Sequence, residues 1–242
     1  MDEFLKENYA LITYSVEFFA FLAGLISYRK YKTTPARIIV YFLGFAFVVD
    51  LIGRYPHFLW QMDLFHLIEG TLIERNYWWY TIFWWCGLSF FVYYINHQIV
   101  QNIKFKRIIR LAYYLYLLQV ILALVFRFEY LFKPDERIIK IASLWIVMLN
   151  IIIYFFETLN SERIIRFYKS LYFYFNTAIF IWVLIMIPMD FFEAYFNPED
   201  WNYVLFKWKI YLSLNIFLYL TISSALIFCA PENKLLFSNG RT

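Results

Sequence analysis

Seven apolar runs follow one another along the chain, at about residues 8–28, 36–60, 77–97, 108–127, 138–157, 170–193 and 203–229, with only short polar joins between them. Each is near the roughly 20 residues that a helix rising 1.5 Å per residue needs to cross about 30 Å of hydrocarbon. The pattern predicts an all-α polytopic membrane protein, a bundle of seven transmembrane helices forming a single domain over 1–242, with no soluble domain. Composition agrees: 63% of the residues are hydrophobic and 25% aromatic, with a mean hydropathy of +0.57. Soluble domains average nearer 45 to 50% apolar.

Charge placement orients the bundle, because Lys and Arg collect in cytoplasmic loops. The first loop carries Arg29, Lys30, Lys32 and Arg37, the third Lys104, Lys106, Arg107 and Arg110, the fifth Arg163, Arg166 and Lys169, and the tail Lys234 and Arg241. The acids on that side are Glu157, Glu162 and Glu232. On the opposite side stand Asp2, Glu3, Glu7, Asp63, Glu69, Glu74, Glu129, Asp135, Glu136, Glu193, Glu199 and Asp200. The N-terminus is therefore expected outside and the C-terminus in the cytoplasm. The net charge of +4 is spread between apolar runs and forms no compact basic patch, which argues against nucleic acid. The first residues lack the basic n-region and cleavage site of a signal peptide, so the first run is expected to stay as a signal anchor.

Local signals add detail. Thr34 followed by Pro35 reads as an N-cap and first helical residue of the second span. Tyr77 to Tyr80, with Trp60, Trp201 and Trp208, reads as an aromatic belt on the outer side. Pro188 is expected to kink or end the sixth helix. Gln61 to Leu72 reads as a short helix lying at the outer interface.

Within this apolar background, Asp50, Gly53, Arg54 and His57 are spaced i, i+3, i+4, i+7, the offsets that share one helical face. A charged side chain at the bilayer centre costs about 2.5 to 3.5 kcal/mol on insertion scales, so it usually faces a partner or a wet cavity. Measured from the outer ends of their helices, Glu17 lies roughly 12 to 14 Å deep, Arg54 about 9 Å and Asp50 about 15 Å. Helices joined by a short loop pack antiparallel, which would let Glu17 reach Arg54. Gln119, Asn150 and Asn215 fall near the same layer. Two readings stand side by side. One is an outward-facing polar cavity that takes a ligand or ion; the other is an inert ion-pair lock, with the amides as interhelical hydrogen-bonding glue.

Other chemistry is not indicated. His57 and His66 lie nine residues apart, which is no recognised ligand spacing, and His97 belongs to the other side; no metal site and no cofactor are expected. No phosphate loop, nucleophile elbow or HExxH is present, so no catalytic residue is named. Cys86 and Cys229 have no neighbouring thiol.

Seven spans with an external N-terminus invite comparison with microbial rhodopsins, yet Ile210 to Cys229 contains no lysine for a Schiff base. The histidine-rich membrane hydrolases fail on the separation of His97 from His57 and His66. In overall pattern the chain resembles the small seven-helix integral membrane proteins of Bacteroidetes, in its basic first loop, its Thr34–Pro35 helix start and its acid in the second span, Asp50. The resemblance covers nearly the whole length and implies the fold and a bacterial cytoplasmic membrane; the family supplies no activity.

The functional expectation is a receptor-like or signal-transducing protein with its polar site in the outer half of the bundle. An ion channel, transporter or oligomeric membrane effector is the alternative. An intramembrane enzyme acting on lipid, with Asp50 or Glu17 and His57 as acid and base, ranks third. The expected partners are the lipid bilayer, a cytoplasmic protein at the basic loops, and further copies of the chain.

Overall fold

The computed structural model describes residues 2–133, 137–193 and 200–231, and among these every regular element is helical. The helices are α1 (Asp2–Tyr31), α2 (Arg37–Gly53), α3 (Tyr55–Gln61), α4 (Tyr77–Trp79), α5 (Cys86–Ile99), α6 (Ile103–Phe126), α7 (Ile138–Leu159), α8 (Leu171–Glu193) and α9 (Trp201–Phe228). Tyr80–Trp85 forms a π-helix joining α4 to α5 without a break, and 3₁₀ helices cover Phe65–Leu67, Phe128–Phe132 and Glu162–Lys169. Five helices are long and apolar enough to cross a membrane, and the bent pair α2–α3 passes the same test jointly. Of the charges that orient the sequence, Asp135, Glu136, Glu199, Glu232, Lys234 and Arg241 lie outside the described residues.

The chain divides into two compact units, Met1–Leu43 with Ser161–Thr242, and Gly44–Asn160. In the first, α9 packs along α1 and α8. Tyr9 meets Trp208 with ring centroids 5.1 Å apart near the start of both helices. At the far end, Lys30 Nζ donates to the carbonyls of Leu226 and Ile227 at 3.2 and 2.9 Å, and the Tyr31 hydroxyl donates to Cys229 O at 2.6 Å. Beginnings meet beginnings and ends meet ends, so α1 and α9 run parallel. The lysine also caps carbonyls that the end of α9 leaves without intrahelical partners, where a cation is favoured.

In the second unit α7 packs against α5 and α6. The Ser143 hydroxyl donates to Trp85 O at 2.7 Å and lies 2.6 Å from Ser89 Oγ. Glu157 accepts the backbone N–H groups of Gln101 and Asn102 at 2.7 and 3.0 Å. Rising residue numbers on α5 thus meet rising numbers on α7. Against α6 the order reverses: Cys86 meets Tyr116, Tyr93 stacks on Tyr113 at 3.9 Å, and His97 accepts from Arg110 at 3.1 Å. Tyr113, Tyr116, Val120 and Ala123 of α6 form a buried core with Ile139 and Ile146 of α7.

Three local expectations need correction. Thr34 does not cap α2; its buried hydroxyl donates back to Tyr31 O at 2.9 Å, closing the end of α1, and the chain enters α2 through i→i−3 bonds at Arg37, Ile38 and Ile39. The i−3 carbonyl of Tyr31 is the nearer acceptor. Of the two outcomes expected of Pro188, a kink or an end, the end is excluded, since α8 runs through it to Glu193. Gln61 to Leu72 is mostly turns around the short 3₁₀ helix Phe65–Leu67, with Asp63 at a φ of 57° and Gly70 at 71°. Two left-handed residues within eight positions interrupt any longer helix.

Candidate functional site

The expected second span, 36–60, is not one helix. α2 ends at Gly53, Arg54 adopts φ −84° and ψ 6°, and α3 resumes at Tyr55 after a bend of 43°. Pro56 is the cause: it has no N–H for the carbonyl four residues back, its ring crowds that carbonyl, and it disfavours helical geometry in the residue before it. The hydrogen bonds follow. His57 N and Phe58 N both donate to Arg54 O, at 3.0 and 3.2 Å, which leaves Gly53 O without the His57 N–H that a continuous helix would give it.

Side chains from the following segment take up the freed backbone. Asn76 Nδ2 donates to Gly53 O at 2.6 Å, and Trp79 Nε1 donates to Val49 O at 2.8 Å. The Tyr55 hydroxyl donates to the carbonyls of Ile73 and Arg75 and accepts from Trp78 Nε1 at 3.1 Å. Gly53 permits this approach, since a Cβ there would stand 2.8 Å from the Tyr80 ring and hydroxyl and 3.0 Å from Trp79. The interruption is therefore a joint clamped by Asn76, Trp78 and Trp79, not a frayed end.

Asp50 sits one turn before the bend, half-buried on α2. Arg54 is the bend residue itself, half-buried, its guanidinium 6.0 Å from the centre of the Phe58 ring. His57 rides on α3 and stacks with Trp60 at 6.2 Å. The stripe drawn through Asp50, Gly53, Arg54 and His57 is thus split between two helix axes, because the i+4 and i+7 rules hold only along one continuous helix.

The remaining candidates lie elsewhere. Gln119 lines an open groove of about 610 Å³ between α6 and α7, and its amide lies 3.5 Å from Ile138 O. Asn150 is fully buried in α7, and its Nδ2 turns back to Ile146 O at 2.7 Å, a bond within its own helix. Glu17 and Asn215 belong to the first unit. Glu17 is 1% exposed on α1. Asn215 accepts from Trp182 Nε1 at 3.2 Å, tying α9 to α8 as interhelical glue does.

Sequence reasoning missed Tyr55, Asn76 and the roles of Trp78 and Trp79. Their signal was available: a proline four residues before the end of an apolar run demands outside donors, and Asn76 immediately precedes the next run. It also missed the π-helix, whose Trp85 carbonyl accepts from the Ser143 hydroxyl, itself paired with Ser89 Oγ. Such π segments occur frequently at functional sites. Among the described residues no group of three or more His, Cys, Asp and Glu side chains could hold a metal ion. The site has backbone carbonyls, an acid, a guanidinium and an imidazole around a bend, which suits binding or bending more than bond-making. Comparison with protein-family models, with curated proteins and with solved structures gave no match.

Proposed function

We propose that the chain is a seven-span, receptor-like or signal-transducing membrane protein in which a small ligand, ion or proton acts on the clamped joint between α2 and α3. The observation that carries this reading is the Gly53 carbonyl, released by the bend and caught by Asn76. Interrupted spans with exposed backbone and nearby charges recur where membrane proteins bind ligands or move. Asp50, Arg54 and His57 supply the charge and the titratable group at the joint. Gln119 and Asn150 in the same unit, and Glu17 and Asn215 in the first, remain candidate polar residues of the other spans.

The parallel run of α1 and α9 supports the count of seven. Two parallel spans are separated by an odd number of crossings, so if α2–α3 crosses, the continuous helical stretch Tyr77–Ile99 crosses as well. That stretch lies beside α6 and the 3₁₀ helix that follows it, from Trp78 against Phe132 to His97 against Arg110. The basic loops then favour an external N-terminus, a cytoplasmic C-terminus and a bacterial cytoplasmic membrane, in the pattern of the small seven-helix proteins of Bacteroidetes. A cytoplasmic protein at the basic loops and self-association complete the proposal.

A transporter or channel is the second reading, favoured by the same interrupted span. The test is Trp fluorescence of the protein in liposomes, titrated with protons and with Na⁺ or K⁺, for the wild type, Asp50→Asn and Arg54→Gln. A saturable change that both variants abolish supports the proposal. A response identical in all three overturns it, and ion flux dependent on Asp50 selects the second reading.

A further inference from the structure

We infer that the first unit carries a site for one anionic glycerophospholipid, in the groove where the start of α8 meets the end of α9. The groove holds about 560 Å³, and its walls differ in chemistry. On one side stand Tyr168, Lys169 and Tyr174; on the other, α9 presents Thr221, Ser224 and Phe228. Thr221, Ser224 and Phe228 are spaced i, i+3, i+7 and share one helical face. Two hydroxyls thus lie along a wall that becomes wholly apolar at Leu220 on one side and at Phe228 on the other, and no acidic side chain lines it.

The cationic end is held in place. Lys169 Nζ lies 5.5 Å from the centre of the Tyr168 ring, and the Tyr174 hydroxyl donates to Tyr168 O at 3.0 Å, fastening the 3₁₀ helix to the first turn of α8. Ser170 N closes the same corner on Phe167 O at 2.9 Å. Lys30, bonded to the last carbonyls of α9, adds positive charge at the same end of the helix.

Depth selects the occupant. α8 and α9 are both apolar enough to cross a membrane, and the groove lies at their ends, where headgroups sit. The 3₁₀ helix Glu162–Lys169 exposes Ile165, Phe167 and Tyr168, while Arg163, Arg166 and Lys169 alternate with them in sequence. Exposed apolar residues interleaved with bases mark a segment lying in the headgroup plane. Phe228, the last residue of α9, is 85% exposed and adds an aromatic ring at that level. A phosphate beside Lys169, ester oxygens beside Ser224 and Thr221, and an acyl chain along Leu220 match the walls in order, whereas a free anion would leave the apolar part unused.

The test uses the full chain in vesicles of equal phosphatidylglycerol and phosphatidylcholine, extracted gently and assayed for retained lipid by native mass spectrometry. Wild-type protein is expected to retain phosphatidylglycerol in preference to phosphatidylcholine. A lysine at a membrane surface is worth about a fivefold change in binding to anionic lipid, so Lys169→Gln is expected to lower that preference by about fivefold. Lys169→Arg restores it. Ser224→Leu, which fills the groove without touching the charge, reduces retention of both lipids. Lys207→Gln, near the other end of α9, leaves the preference unchanged. The inference is overturned if the two lipids are retained equally, if Lys207→Gln matches Lys169→Gln in a monodisperse protein, or if millimolar inorganic phosphate displaces the bound lipid.

Discussion

Replacing Asn76 by Ala tests the joint most directly. Its side chain makes no capping bond to its own helix, so the substitution reads the bond to Gly53 O and not a lost cap. That bond is short, at 2.6 Å, and partly buried. A buried acceptor left without its partner costs about 1 to 3 kcal/mol, whereas interhelical side-chain bonds in membrane proteins average about 0.6 kcal/mol. The Gly53 carbonyl belongs in the first range, since the bend has turned His57 N to Arg54 O, and toward its lower end, since the bond is only partly buried. Asn76→Ala is expected to cost about 1.5 kcal/mol. In a Pro56→Ala background the helix can run on, His57 N returns to Gly53 O, and the same substitution is expected to cost about 0.5 kcal/mol. The resulting coupling of about 1 kcal/mol is within reach of a double-mutant cycle. Unfolding in mixed micelles with rising SDS, followed by Trp fluorescence, gives the four stabilities. Equal costs in both backgrounds would refute the reasoning, because the carbonyl would not then owe its exposure to the proline.

Other substitutions probe the packing around the joint. A Cβ at Gly87 would overlap the Phe45 ring, so Gly87→Ala is expected to destabilise by about 1 to 3 kcal/mol, and Phe45→Leu to recover part of that loss in the same SDS assay. Ser143→Ala removes the donor to Trp85 O at the π-helix and should cost about 1 to 2 kcal/mol, with the spectral change confined to buried tryptophan emission. Glu157→Gln leaves one acceptor oxygen for two backbone donors, so hydrogen exchange at Gln101 and Asn102 should quicken while the protein stays folded.

The ends of the long helices were legible because charged loops interrupt apolar runs. α7 begins at Ile138 as expected and stops two residues beyond the expected 157, and α9 is displaced by one or two residues at each end. The bend was legible in principle, because Pro56 breaks the ladder on which the i, i+3, i+4, i+7 spacing of Asp50, Gly53, Arg54 and His57 depends. The π-helix was not legible. In Tyr80–Trp85 every position but Thr81 is apolar or aromatic, and a change from i→i+4 to i→i+5 bonding leaves no mark on a pattern with so little polar contrast. Asn215 and Asn150 were sensed as interhelical glue; only the structure distinguishes the one that bridges helices from the one that bonds within its own.

The parallel pairing of α1 with α9 has a consequence for how the chain is made. α1 is made long before α9, so the contacts between them, from Tyr9 on Trp208 to Tyr31 on Cys229, form only after the whole intervening chain has left the ribosome. For that interval the carbonyls of Leu226, Ile227 and Cys229, which Lys30 and Tyr31 hold in the folded unit, do not yet exist. A nascent chain halted before Trp201 would therefore present α1 without the helix that packs along it, which makes the arrival of α9 the step that closes this unit.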